Sequence, residues 1–236
     1  DSLATGLQNE YGIEIHTFAC NLADESGRDA LYQEIEKVGM RFVGLANIAG
    51  TGIEGEFASL DLPSLRTIMQ LNMFNTAENI NRVLRYRQKG VKFIILNVAS
   101  LAAFQPMPYK ALYAATKRFL VQLSLGIREE LKGNDVSVSV LCPSGMPTTP
   151  TTIKEIDVQG VWGRLTAMNT GDVAEYALSR ALRGQAVIVP GTLNQIIKGL
   201  TKLVPETISA SFVKRRWSRA LLKRCGTLCP QEGLGV

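Results

Sequence analysis

The order of apolar and polar positions divides the chain into alternating helical and strand-like segments. Residues 1–11 read as the end of a helix closed by Gly12, and apolar and polar positions then alternate from Ile13 to Ala19, which predicts a strand. After Asn21-Leu22-Ala23-Asp24, apolar Leu31, Ile35 and Val38 recur at helical spacing within 25–38, and 41–48 is a short apolar run of the kind that fills a buried strand. The rhythm continues with a long helix over 64–87, a strand over 91–98, a helix over 108–132 and a strand over 136–141. A last pair, helix 173–183 and strand 186–189, brings the expected strands to five. Strands separated by helix-length segments need crossover connections, and right-handed crossovers place helices on both faces of a parallel sheet. The expected fold is α/β, an open, doubly wound parallel sheet.

Composition changes this picture little. A chain of 236 residues, 46% apolar and 20% charged, suits a single α/β core. Cys20 and Cys142 fall at the ends of apparent strands, where small apolar packing explains them, and Cys225 and Cys229 are too isolated for a ligand set. With His16 the only histidine, and that one inside a strand-like run, neither a multi-histidine metal site nor a histidine-based triad can be assembled, and no metal is expected. No apolar stretch is long enough to span a bilayer and the first residues lack the basic and apolar regions of a signal peptide, so a cytoplasmic location is expected.

Charge changes the picture more, because it is segregated. Of the net charge of +5, the residues from Lys198 onward carry +6 and the rest −1. A nearly neutral body argues against nucleic acid as a partner, since such a footprint is spread over a folded face. Residues 1–197 are read as the folded domain and 198–236 as a basic, amphipathic C-terminal tail. Within it 206–224 can form a helix with Val213, Trp217, Ala220 and Leu221 on one face and Arg216, Arg219 and Lys223 in a neighbouring row. Such a helix suits peripheral contact with an anionic membrane surface, and equally docking on its own domain or on a subunit partner.

Chemistry concentrates in 97–117. The strand-like run ends in Asn97-Val98-Ala99-Ser100, and the following helix carries Tyr113 and Lys117 four residues apart, on one face. A fixed ammonium beside a phenol favours phenolate and draws its pKa down from about 10, which makes a proton donor. Ser100, at the mouth of the strand, can hydrogen-bond the same substrate oxygen. A Tyr-x-x-x-Lys pair alone is equally an amphipathic helix with a half-buried tyrosine, but the serine at this spacing adds a third group.

At these residues the chain resembles the short-chain dehydrogenase/reductase family, in which Ser, Tyr and Lys stand in this order and spacing. Asn47-Ile48-Ala49-Gly50 is similar to the family's Asn-Asn-Ala-Gly turn, and Asn72, in the helix interior where asparagine has poor propensity, stands where its helix-borne catalytic asparagine does. The resemblance implies a Rossmann-like fold and an NAD(P)-dependent carbonyl reductase or alcohol dehydrogenase, with Ser100, Tyr113, Lys117 and Asn72 catalytic and Lys117 also reaching the nicotinamide ribose. Asn72 is equally readable as an exposed helical asparagine. The resemblance further implies a cofactor lined by Asn21, Leu22, Asn47, Ala49, Gly50, Tyr113 and Lys117. After the strand ending at Cys142, Pro143-Ser144-Gly145-Met146-Pro147-Thr148 is similar to the family's Pro-Gly-x-x-x-Thr segment, so Pro143, Ser144, Gly145, Met146 and Thr148 join the cofactor set. NADP is slightly favoured over NAD, and a homo-oligomer is implied through the helices that follow Asn72 and carry Tyr113.

Three departures qualify the resemblance. Ser144 replaces the expected glycine and would be strained at a position requiring positive φ. Asn21 stands where the family has aspartate near the adenine. The family's opening strand, Thr-Gly-x-x-x-Gly-x-Gly loop, helix and second strand have no counterpart in the sequence, so an N-terminally truncated sheet lacking its first β-α-β unit is expected. Gly50-Thr51-Gly52-Ile53-Glu54-Gly55 matches a dinucleotide fingerprint literally, but no helix opens within it and the next strand lacks a ribose-binding acid, so it is read as a decoy. The leading expectation is an oxidoreductase acting on a small carbonyl or alcohol with an apolar part, lined by Phe104, Met107, Met146 and Trp162 and covered by a substrate lid over 149–170. The alternative is a catalytically silent remnant of the fold serving as a binding or membrane-associated scaffold.

Overall fold

The computed structural model describes residues 2–149, 152, 153, 156, 157, 163, 165–215 and 217. The chain divides into two compact units, residues 1–40 and 41–236.

The first unit holds two helices. Helix α1 spans Ser2–Tyr11 and α2 spans Glu25–Val38, the latter closed by Gly39 at φ 68°, a left-handed position where glycine carries no steric cost. The strand expected over 13–19 does not form. Alternation makes the segment extended-compatible but supplies no hydrogen-bonding neighbour, and Ile13 is exposed. His16, half-exposed and 2.9 Å from Glu14, is accordingly not a strand residue.

The second unit is built on a four-stranded parallel sheet in the order β1-β2-β3-β4, formed by Gly44–Asn47, Phe93–Val98, Val136–Leu141 and Val187–Ile188. Register places Asn47 beside Asn97 and Val98 beside Leu141, so the C-terminal ends of the first three strands come level. Both faces are covered. Phe93, Ile95 and Val138 pack against Ile80 and Val83 of α4 (Asn75–Val83) and against Leu123 and Ile127 of α5 (Ala111–Glu130). Ile94, Leu96 and Val98 face the other way, onto Val173, Ala177 and Ala181 of α6 (Thr170–Leu182). The two-residue alternation of β2 thus feeds one core on each side, which is the doubly wound arrangement.

The long helix expected over 64–87 is a composite. Helix α3, Leu62–Met69, starts at Asp61, whose carboxylate accepts the Ser64 N–H at 2.8 Å. A π-helical turn over Gln70–Phe74 follows before α4, and a 3-10 turn, Leu84–Tyr86, ends the run. The wide turn is centred on buried Asn72. Inserted turns of this kind re-aim side chains and cluster at functional sites.

Helix α7 spans Thr192–Thr201, and residues 206–215 are again helical. Of the apolar face expected in the tail, Val213 and Trp217 are buried, with Lys110 Nζ 5.0 Å above the Trp217 ring and Glu206 3.8 Å from Arg118. That stripe is therefore turned into the protein rather than outward. Ala220, Leu221, Arg216, Arg219, Lys223, Cys225 and Cys229 lie outside the described residues, as do Trp162 and much of the expected lid. Among the described residues no helix is long and apolar enough to cross a membrane, and no group of acidic, histidine or cysteine side chains could hold a metal ion.

Candidate active site

Lys117 is the centre of the arrangement at the C-terminal edge of the sheet. Helix α5 carries it inward, 5% exposed, where Nζ donates to the Val98 carbonyl at 2.9 Å and stands 5.8 Å from the centroid of the Tyr113 ring. One helical turn links the two residues, as their spacing predicts. Burial pulls the Lys117 ammonium down to about 8. Burial likewise pushes the neighbouring Cys142 thiol up to about 12, although Lys198 and Lys117 oppose it. Cys142 is neutral core material, packed with Ala99, Leu120 and Val189.

Asn72 reaches the same place from the π turn. Its Oδ1 accepts the Thr51 N–H at 2.9 Å, and its Nδ2 donates to the Thr51 carbonyl at 2.9 Å and to Thr116 Oγ1 at 3.0 Å. Thr116 in turn donates to the Tyr113 carbonyl at 2.8 Å. The reading of Asn72 as an exposed asparagine is thereby corrected, because its amide clasps the loop after β1. That loop runs across the site: a Cβ on Gly50 would lie 3.1 Å from Asn72 Oδ1 and 3.2 Å from Lys117 Nζ, and one on Gly52 would lie 3.3 Å from the Tyr113 ring. Ala49 and Gly50 are exposed, leaving bare backbone in front of the ammonium.

The fingerprint-like glycines do not lead into a helix start. Thr51 N–H is taken by Asn72 and Gly55 N–H by the Tyr109 carbonyl at 2.9 Å, and α3 begins only at Leu62. Asn47 works below the site. Its amide donates to Asn97 Oδ1 at 2.8 Å and accepts from Asn79 at 3.2 Å, while Asn97 donates to Ser124 Oγ at 2.9 Å, a buried ladder that ties β1, β2, α4 and α5 together. Ser100 sits at the end of β2, where its Oγ accepts the Ala102 N–H at 3.2 Å and begins the 3-10 turn Leu101–Phe104. Its hydroxyl hydrogen is not spent in that bond.

The segment after β3 shows how Ser144 replaces glycine. The only non-glycine residues with positive φ among those described are Tyr109 and Asp135, so Ser144 carries no such strain. Its hydroxyl donates to the Thr166 carbonyl and accepts from Asn194 Nδ2 at 3.1 Å. Asn194, 2% exposed on α7, also donates to the Pro190 carbonyl at 3.0 Å, while its Oδ1 is buried with no hydrogen-bond partner. Pro143 is buried beneath, Met146 packs on the α6 core and Thr148 N–H bonds the Met146 carbonyl at 2.8 Å. A Cβ on Gly145 would meet Ile156 at 3.0 Å.

Asn21 and Leu22 belong to the first unit and are used locally: Asn21 Oδ1 accepts the Ala23 N–H at 3.1 Å and the Leu22 carbonyl accepts from Arg28 at 3.0 Å. Sequence reasoning missed Thr51, Thr116 and Asn194. Thr116 lies three residues from Tyr113 on the same helical face, a usable signal, whereas nothing local distinguishes Asn194 from a helical surface amide.

Comparison with known proteins agrees with this architecture. A family profile described as short chain dehydrogenase matches residues 1–158. The ketoacyl reductase HetN of Nostoc sp. is 28% identical over 201 residues, covering 84% of this chain and 69% of that protein. The very-long-chain 3-oxoacyl-CoA reductase-A of Danio rerio is 26% identical over 161 residues, 66% of this chain and 49% of that protein, so this chain spans only about half its length. Among solved structures, a 7β-hydroxysteroid dehydrogenase superposes with a TM-score of 0.78 at 16% identity, over 90% of this chain and 82% of the other. A short-chain dehydrogenase from Sphingobium yanoikuyae in complex with NADPH gives 0.68 at 23% identity, over 87% and 82%. With parallel strands whose C-terminal ends gather Asn47, Val98 and Cys142 and a profile spanning two thirds of its length, this chain belongs to the short-chain dehydrogenase family.

Proposed function

We propose that this oxidoreductase-family chain reduces or oxidises a carbonyl/alcohol pair, with Tyr113 as the proton donor and acceptor. The observation that carries the reading is Lys117, buried against the Val98 carbonyl and 5.8 Å from the Tyr113 ring. In the reducing direction the Tyr113 phenol gives its proton to the substrate oxygen while Ser100, whose hydroxyl hydrogen is available, orients that oxygen. The Lys117 ammonium favours the phenolate that remains. Asn72 is best assigned as a positioning residue, since its whole amide is spent on Thr51 and Thr116.

NAD(P), with NADP favoured, is the cofactor proposed, and when bound a nicotinamide supplies or takes up hydride. Two observations fit it. Gly50 leaves backbone open before Lys117, where a Cβ would crowd Nζ, and Asn194 keeps a buried acceptor beside the 143–148 segment. Gly50, Ala49, Lys117, Tyr113, Pro143, Ser144, Gly145, Met146 and Thr148 would hold it, with Asn47 bracing the strand below. The substrate is a small carbonyl or alcohol with an apolar part, which Phe104, Met107 and Met146 would meet. A homo-oligomer through α4, which follows Asn72, and α5, which carries Tyr113, belongs to the same reading, supported by Phe74 exposed on the π turn. So does a peripheral place on a membrane surface, supported by the basic C-terminal segment.

The test is titration with NADPH and NADH followed by a carbonyl substrate screen. Saturable binding, with turnover abolished in Tyr113→Phe while binding persists, supports the reading. A folded chain that binds neither dinucleotide overturns it in favour of a scaffold.

A further inference from the structure

We propose that the C-terminal segment meets an anionic lipid surface through a face opposite to the buried Val213 and Trp217, formed by Leu200, Leu203, Ile208 and Phe212. These side chains are 54%, 79%, 60% and 70% exposed. Their spacing makes faces of them. In α7, Ile196 and Leu200 recur at i and i+4, away from buried Asn194; Leu203 follows in the turn after the helix, and Ile208 and Phe212 recur at i and i+4 across the next helix from Val213. A single exposed leucine is ordinary, but large apolar groups repeated along two consecutive helices and the turn between them mark a contact surface.

Charge decides the occupant. Lys202, Lys214 and Arg215 are exposed within the same stretch, while its one acidic residue, Glu206, stands 3.8 Å from Arg118 and is balanced there. The chain from Lys198 onward carries +6 against −1 for everything before it. Apolar side chains that enter the acyl boundary, rimmed by cations that meet lipid phosphates, are the chemistry of an interfacial helix pair. A protein partner, a second copy included, would have to supply a complementary acidic rim, and the body of this chain is nearly neutral.

This inference rests on the peripheral-membrane part of the proposed function and is independent of its redox part. The test is flotation of the full chain with phosphatidylcholine vesicles with and without phosphatidylserine, folding being checked by circular dichroism. The chain is expected to float with the phosphatidylserine vesicles, and the double variant L203E/F212E, altered only at exposed positions, to lose about tenfold in partitioning. K202E/R215E should lose the preference for the anionic lipid. Equal flotation of L203E/F212E and the parent chain would keep the membrane contact but overturn this face. A folded parent that stays at the bottom of the gradient overturns both. A parent that sediments as a dimer, is made monomeric by F212E and does not float assigns the face to a second copy instead. Dinucleotide titration of the same samples separates every one of these outcomes from the fate of the oxidoreductase reading.

Discussion

The amide of Asn72 holds the backbone of Thr51 from both sides, accepting its N–H and donating to its carbonyl, each at 2.9 Å. The asparagine is delivered by a π turn in the middle of a long helix, and the threonine follows the first glycine of the loop in front of Lys117. Asn72→Ala removes both bonds and the one to Thr116. Because Thr51 is half-buried, water can repair part of the loss, so destabilisation of about 1–3 kcal/mol is expected in denaturant unfolding. The catalytic cost should be larger than the stability cost implies. With the loop unclasped, Gly50 and Gly52 no longer keep their distances to Lys117 and Tyr113, and kcat/KM should fall about a hundredfold. Wild-type kinetics in a destabilised variant would remove Asn72 from the site altogether.

Gly50 and Gly52 make separable predictions. An alanine at 50 brings a methyl within 3.2 Å of Lys117 Nζ and 3.1 Å of Asn72 Oδ1, two groups fixed by their own hydrogen bonds. At 52 the methyl meets the edge of the Tyr113 ring at 3.3 Å, which can yield by a few tenths of an ångström. Gly50→Ala should therefore weaken dinucleotide binding, while Gly52→Ala should leave it within about threefold and lower kcat instead. If Gly52→Ala abolished binding, the glycine run would be a phosphate cradle after all.

How far the sequence carries can be seen residue by residue. Strand β2 was legible because a buried parallel strand is a nearly unbroken apolar run, β3 because its valines alternate with small serines at the strand period, and Tyr113 with Lys117 because one helical turn joins them. The strand expected at 13–19 was not, since alternation describes a conformation and a ladder needs a neighbour that no local pattern reveals. The helix over 64–87 was legible in extent but not in its π turn, which depends on Asn72 finding Thr51, 21 residues away. Val213 and Trp217 were legible as an apolar face. Whether that face met lipid or protein depended on Lys110 and Arg118, more than 80 residues earlier in the chain.

Ser144 and Asn194 should behave as a pair. The serine hydroxyl lies between the Thr166 carbonyl and Asn194 Nδ2, so it joins the segment after β3 to the chain before α6 and to α7. Ser144→Gly restores the small residue of the family pattern but severs this junction. Asn194→Ala leaves the Pro190 carbonyl and Ser144 without their donor. Each single change should cost about 1–3 kcal/mol, and the double variant less than the two together, because both remove the same bond. A double-mutant cycle by thermal or denaturant unfolding measures the coupling, and strict additivity would show that the 3.1 Å contact contributes nothing.

Lys117 ties stability and activity to the same proton. Burial holds its folded pKa at about 8 against an ordinary 10.5, so between those values the unfolded chain binds a proton that the folded chain has lost. Unfolding free energy therefore rises with pH across that window, and the penalty relieved is on the order of 3 kcal/mol. Lys117→Met has no such proton, although it leaves the Val98 carbonyl without its donor. The difference in stability, parent minus variant, should climb from pH 8 to 10.5 in guanidinium unfolding. Cys142 acts in the opposite sense, because a thiol raised to about 12 costs stability as pH passes its ordinary value of 9, but it is present in both proteins and largely cancels in the difference. Activity should move against stability. Above pH 8 the ammonium beside Tyr113 is lost, so kcat for carbonyl reduction should decline through the same range in which the parent fold becomes more stable. A flat stability difference together with a flat rate profile would mean that burial does not depress the Lys117 pKa and that the ammonium stays charged throughout, whereas a climbing difference with a flat rate profile would mean that the phenol is activated by another group.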